Sequence, residues 1–171
     1  LFKKIPANFL VDDFYWCMHV LHLGYKCLFV KEALAVEDVP ENIQDEFNRK
    51  ARIGQGNFQN LISFPFLLNI FKQNGFVFIS HKLIRWLGPF LIMMMLVSNL
   101  RLIQTNQIFI WMFGLQCLPI AITLLCFQWK ESPKPLRIIT YFYSMNAALM
   151  LGFFKFLFGK SKGTWQPTKR N

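Results

Sequence analysis

Two textures divide the chain. Up to about residue 57 apolar and polar positions interleave; from residue 58 onward long apolar runs are separated by short basic turns. Asp12 and Asp13 precede Phe14, Met18 and Leu21, which recur at helical spacing, and Gly24 follows. That pattern predicts one helix with a start and a stop signal. The short apolar run Cys27-Leu28-Phe29-Val30 suits a buried strand. A polar stretch from Glu37 to Asn42, with Pro40 inside it, leads to a predicted charged helix from about Asn42 toward Gln55. Its Asp45/Arg49 and Glu46/Lys50 pairs stand at i, i+4 in the favourable order.

Phe58 to Phe71 is apolar but interrupted by Asn60, Pro65 and Asn69. This predicts an interfacial helix or surface hairpin rather than a span. Three longer runs predict membrane segments over about residues 86–103, 108–127 and 138–158. His81, Lys82 and Arg85 precede the first, which opens on Trp86, an interfacial anchor. The second has only Gln116 and Thr123 as polar interruptions, and the third carries Asn146 and Lys155, both expensive inside lipid. The expected organisation is therefore 1–57, the end of a soluble α/β domain; 58–80, an amphipathic connector; 81–158, the membrane region; and 159–171, a basic tail.

The orientation contains a conflict. The positive-inside rule places His81–Arg85 and Gln128–Arg137 on the cytoplasmic side, which two spans satisfy. A third full span would carry Lys160, Lys162, Lys169 and Arg170 to the other side. The preferred reading is a third segment that lies along or re-enters the membrane.

Composition sharpens this picture. Hydrophobic types make up 54% and charged residues only 16%, against roughly 25% charged in an average soluble domain. That excludes a disordered chain and argues against an ordinary soluble domain. The net charge of +10 is uneven. Eight of the nine acidic residues lie between Asp12 and Glu46, so residues 1–57 are near neutral and the rest is strongly basic. Basic residues flanking apolar runs point to an anionic membrane face and to membrane lipids as partners. No compact basic patch interleaved with aromatics appears, so no nucleic-acid partner is expected. The cysteines Cys17, Cys27, Cys117 and Cys126 form no CxxC pair, which argues against zinc and thioredoxin-like chemistry. The chain opens on Leu1 without a cleavable signal pattern and is read as the later part of a longer protein.

Candidate chemistry lies in the first region. Asp12-Asp13 has a structural reading, capping a helix start, and a functional one, a general base that takes a proton from an attacking hydroxyl. Arg49, Arg52 and Gly56 fall on one helical face of the run Arg49-Lys50-Ala51-Arg52-Ile53-Gly54-Gln55-Gly56. Two forked guanidiniums on one face suit a diphosphate. The same run also reads as a solvated charged face that ends at a glycine stop. The two glycines cost roughly 1 kcal/mol each in a helix, or permit close approach of a ligand or a neighbouring backbone. His19 and His22 stand at i, i+3 without an evident third ligand, so no metal site is expected in this chain. No Gly-rich phosphate loop, Ser-His-Asp pattern or EF-hand loop occurs.

Leu10-Val-Asp-Asp-Phe, then Gly24-Tyr25, then Ala35-Val36-Glu37, then Glu46-Phe-Asn-Arg-Lys-Ala-Arg-Ile-Gly-Gln-Gly-Asn follow one another in an order and spacing that resemble the end of a family 2 glycosyltransferase domain. The resemblance is to the membrane-embedded bacterial enzymes of surface polysaccharides, including the cellulose, hyaluronan and poly-N-acetylglucosamine synthases. Ser80-His-Lys-Leu-Ile-Arg-Trp and the tail Gly163-Thr-Trp-Gln-Pro-Thr-Lys-Arg resemble those proteins too.

The resemblance implies a mainly α fold: a C-terminal remnant of an α/β nucleotide-sugar transferase domain, an interfacial helix and two or three transmembrane helices. It implies the acceptor-side portion of an inverting glycosyltransferase of hexosyltransferase type at the cytoplasmic face of a bacterial plasma membrane. The partners would be a nucleotide-diphosphate sugar and a glycan or lipid-linked acceptor. Asp13 would be the catalytic base, with Asp12, Arg49, Arg52 and Ile53 on the substrates. Arg52 matches the arginine of the family's Gln-x-x-Arg-Trp motif and would neutralise the leaving diphosphate. The motif's Gln position is Arg49 here and its Trp position is Ile53; in the processive synthases that Trp helps hold the acceptor. The family's divalent metal, Mg or Mn on an Asp-x-Asp motif, would belong to an upstream half, and these residues alone would not turn over. The competing class is a non-enzymatic membrane protein with a cytoplasmic docking region.

Overall fold

The computed structural model describes residues 4–36, 42–129 and 131–159. The polar stretch at 37–41 and the tail at 160–171 lie outside them. The elements are α1 (Asp12–His22), α2 (Ile43–Ser63), a 3₁₀ turn (Pro65–Leu68), α3 (Gln73–Phe78), one π-helical turn (Ile79–Leu83), α4 (Ile84–Leu102), α5 (Gln107–Cys126) and α6 (Lys134–Phe158). Helix α3, the π turn and α4 form one continuous helix of 30 residues.

Among the described residues there is no β-strand, which corrects the strand expected at Cys27–Val30. Leu28 and Phe29 are 81% and 89% exposed. A strand is stable only when its backbone groups find ladder partners. None stands beside this run among the described residues.

Helix α1 opens with Val11 at the cap position, and Asp12 and Asp13 occupy its first turn. There the carboxylates favour the positive helix end. At its other end Gly24 turns to φ 85°. Its N–H donates to Leu21, while the N–H of Tyr25 donates to Val20. This is a Schellman closure.

Asn42 caps α2 by accepting from the N–H of Gln44 at 3.1 Å. The helix does not stop at its glycines but runs past residue 57 to Ser63. Tertiary packing outweighs the local glycine cost, as it does for most protein helices. The expected Asp45/Arg49 pair does not form. Glu46, nearly buried, holds Arg49 at 3.2 Å and Lys50 at 3.6 Å, while Asp45 faces out.

Helices α2 and α6 lie side by side and parallel. Ala51 meets Gly152, Gln55 donates to the carbonyl of Lys155 at 3.3 Å, and Phe58 stacks near Phe156. The buried residues of α6 include small ones one turn apart, Thr140, Ser144, Ala148 and Gly152, and Gly152 is the one that meets α2 backbone to backbone. A Cβ on Gly152 would stand 2.5 Å from the carbonyl oxygen of Ala51, so the backbones approach to a distance that only glycine allows.

The core is aromatic. Tyr15, Phe58, Phe64, Phe78 and Trp86 are buried together with Leu67. Phe58 sits edge-on to Phe153 at 4.9 Å and within 6.1 Å of Trp86. Phe14 reaches Trp86 from α1 at 6.1 Å. One cluster thus ties α1 and α2 to the start of α4 and the end of α6. Three helices, Gln73–Leu102, Gln107–Cys126 and Lys134–Phe158, are long and apolar enough to cross a membrane. Their outward residues, such as Met94, Trp111 and Leu124, are apolar and exposed. So large an apolar surface marks a membrane protein.

Candidate active site

Residues 5–13 and one face of α2 enclose a hollow of about 740 Å³. Asp12 and Asp13 border it from α1; Arg49, Arg52 and Ile53 border it from α2. All five residues singled out in the sequence therefore meet at one cavity. The two aspartates are exposed, and the three α2 side chains are half-buried.

The aspartates are partly committed to the helix start. An oxygen of Asp12 accepts the N–H of Asp13 at 3.1 Å, and an oxygen of Asp13 accepts the N–H of Phe14 at 2.7 Å. Each carboxylate keeps a second oxygen for other work. Arg49 is tethered by the Glu46 ion pair. Arg52 makes no ion pair among the described residues. The cavity thus holds two carboxylates on one wall and an unneutralised guanidinium on the other.

Three residues of α2 set this geometry: Gln59 and Asn60, which the sequence pattern did not single out, and Gly56, which it did. The side chain of Gln59 accepts from the N–H of Leu10 at 3.3 Å and donates to the carbonyl of Asn8 at 3.1 Å. The buried Asn60 donates to the carbonyls of Val11 at 3.2 Å and Gly56 at 3.0 Å. A Cβ on Gly56 would lie 2.5 Å from Cγ2 of Val11. Gly56 therefore admits a neighbouring segment rather than a ligand. Together these residues strap segment 8–11 onto α2 and so fix the direction in which Asp12 and Asp13 leave. The available signal was two adjacent carboxamides, Gln59 and Asn60, in a stretch turning apolar; Asn60 reads from sequence as a mere interruption.

Cys17 stands one turn behind Asp13. Burial, then the neighbouring Cys27, then the charge of Asp13 push its thiol above the ordinary range. His19 and His22 pack against rings, His19 on Tyr15 at 6.2 Å and His22 on Phe66 at 5.1 Å. Among the described residues no three His, Cys, Asp or Glu side chains gather as metal ligands.

The fold and cavity define an α-helical membrane protein with a charged hollow beside its apolar helices. A family model described as glycosyl transferase family group 2 matches residues 5–130. That match spans well over half of the chain and both walls of the cavity, so the protein belongs to this glycosyltransferase family. No curated protein and no solved structure matches it.

Proposed function

We propose that this chain forms the acceptor side of an inverting, membrane-bound glycosyltransferase of hexosyltransferase type. The observation that carries the reading is the shared cavity: Asp13 and Arg52 border one hollow from opposite elements. The free oxygen of Asp13 takes the proton from an acceptor hydroxyl. The hydroxyl oxygen attacks the anomeric carbon of a nucleotide-diphosphate sugar, and the bond from that carbon to the diphosphate oxygen breaks. Negative charge grows on the departing diphosphate, where Arg52 meets it, with Arg49 beside it. Asp12 contributes hydrogen bonding at the acceptor end. Ile53 offers the acceptor sugar an apolar wall but no aromatic face for stacking.

The acceptor is a glycan or lipid-linked sugar presented at the cytoplasmic face of a bacterial plasma membrane, as in polysaccharide synthesis. Residues 1–57 act as the end of the catalytic domain, 58–80 as a connector and 81–158 as the membrane anchor. The donor set around the cavity does not fit a divalent cation, since it offers two carboxylates and no third acidic or imidazole ligand, with two guanidiniums on the opposite wall. No step here runs through a metal; the Mg or Mn of the family is assigned to residues other than these.

The test is sugar transfer by membranes containing the enzyme with its nucleotide-binding half. Asp13→Asn lowers kcat by roughly 10²–10⁴-fold, the usual contribution of a general base. Arg52→Ala lowers it by roughly 10²–10³-fold, as loss of one preorganised charge donor does. Both variants still insert in the membrane. Transfer retained in both would overturn the reading in favour of a non-enzymatic docking protein, for which the aspartates are only a helix start.

A further inference from the structure

A second pair of hollows lies on the other face of α2. Arg49, Arg52 and Ile53 border the candidate active site, whereas Gln44 and Phe47 of the same helix border this pair. The first hollow, about 480 Å³, is the more polar of the two: Gln44, Arg137 and Thr140 border it beside the apolar Ile43, Phe127 and Trp129. The second, about 530 Å³, is apolar, with walls from α4, α5 and α6 that include Ile92, Ile120, Leu124 and Ser144. Phe127 borders both, so the polar and apolar spaces adjoin.

Two buried hydroxyls face this joined space. Thr140 and Ser144 are only 2% and 3% exposed, and neither hydroxyl has a partner among the described residues. A helical Thr or Ser commonly bonds back to its own helix; these two do not. Buried polar atoms without a partner are rare and costly, and they call for a ligand. The two residues stand one turn apart on α6, Thr140 at the polar hollow and Ser144 at the apolar one.

Charge identifies the ligand's head. Arg137 is exposed and makes no ion pair among the described residues. No carboxylate borders the polar hollow among those residues. A half-exposed Trp129 stands at its rim, as aromatics do at the headgroup level of a bilayer. The adjoining apolar hollow identifies the tail, because a free anion would leave it unfilled.

We propose that this joined hollow binds one anionic phospholipid. The phosphate accepts from Arg137 and from the Thr140 hydroxyl. An ester carbonyl of the glycerol backbone accepts from Ser144, and an acyl chain runs between α4, α5 and α6. The lipid fills the space among α2, α5 and α6 that protein atoms leave open, across α2 from the candidate active site.

The test is native mass spectrometry of the purified full chain in detergent, titrated separately with dioleoylphosphatidylglycerol, dioleoylglycerol and inorganic phosphate. One dioleoylphosphatidylglycerol binds about ten-fold more tightly than dioleoylglycerol, the difference expected from one charge-assisted hydrogen bond. Arg137→Gln, at an exposed position that does not endanger folding, removes that preference. Thr140→Val, which keeps the side chain's shape, weakens the phospholipid by several-fold and leaves dioleoylglycerol unchanged. Equal binding of the two lipids by the unaltered chain overturns the proposal, and so does full binding by Arg137→Gln. Displacement of the phospholipid by millimolar inorganic phosphate assigns the hollow to a free anion and overturns the lipid.

Discussion

Asp13 meets two demands at once. One oxygen accepts the N–H of Phe14 at 2.7 Å, which serves the helix; the other is free for the proton transfer proposed at the cavity that Asp13 borders. The demands separate by substitution. Asn keeps an oxygen for the N–H but cannot take a proton. Asp13→Asn should therefore cost only its charge's interaction with the helix end, about 0.3–1 kcal/mol, while transfer collapses. Asp13→Ala should lose transfer and about 1 kcal/mol more of stability, the typical worth of a side-chain cap. Thermal unfolding of both variants in detergent, beside the transfer assay, checks the pair. Equal destabilisation by Asn and Ala would mean that the negative charge, not the hydrogen bond, holds the helix start. The same charge reaches Cys17 one turn on. Burial, Cys27 and Asp13 all raise that thiol, so its thiolate forms only at higher pH than in a free cysteine. Alkylation of the Cys17 peptide, followed by mass spectrometry against pH, should rise late in the unaltered protein. It should move to lower pH in Asp13→Asn, though only part of the way, because burial is the larger cause.

Helix α2 serves both of its faces with glycine. Gly56 admits Val11 on the active-site side, and Gly54 and Ala51 admit α6 on the other. Gly56→Ala gains about 1 kcal/mol of helix propensity but forces a Cβ to 2.5 Å from Val11. Overpacking costs typically about 1–3 kcal/mol, so the net effect should be destabilising. Val11→Ala in the same chain should restore stability by freeing that space. Gly114 has nothing within 4 Å of an added Cβ, so Gly114→Ala should not destabilise. Thermal melts of the three variants check the order. The same helix marks how far the sequence could be read. Asn42 and the spaced charges announced its start, and Gly24 announced the end of α1, because caps are local chemistry. Its continuation to Ser63 was hidden, since glycine penalties are local while the packing that overrides them comes from α6, about a hundred residues away in sequence. The strand expected at Cys27–Val30 is missing for the complementary reason: a strand is made by its partner, and none is present among the described residues. Of the cavity, the charged residues stood out by type and spacing. Gln59 and Asn60 did not, because the role of a carboxamide depends on which backbone passes it, and here that backbone lies 49 to 51 positions earlier.

At the scale of the whole molecule the question is how α6 sits. It is long and apolar enough to cross a bilayer, yet Gly152 and the carbonyl of Lys155 are spent on α2. It meets the middle of the long helix that contains α4 and the last turns of α5. Phe153 meets Phe90 at 4.9 Å, and Asn146 stands beside Gly88 near the start of α4. Ser144 and Met150 share a hollow with Thr123, Leu124 and Phe127 at the end of α5. Helix α2, parallel to α6 over this length, carries exposed Asp45 and Asn48 and the Glu46 ion pairs to Arg49 and Lys50, all costly in hydrocarbon. A full crossing by α6 would drag those charges toward the bilayer core. An interfacial α6 avoids that cost: its apolar residues Phe142, Phe154 and Leu157 point to lipid while α2 on its other side stays wet. It also agrees with the positive-inside reading of the sequence, which a third span would break. The prediction is that both ends of α6 are open to one compartment. Cysteines placed at Lys134 and at Lys155, in a chain otherwise free of cysteine, should both react with an impermeant maleimide in inside-out vesicles and neither in right-side-out vesicles. Reaction of the two positions from opposite faces would make α6 a third span and carry α2 with it to the membrane's edge, where the candidate active site would have to be reached from a tilted helix.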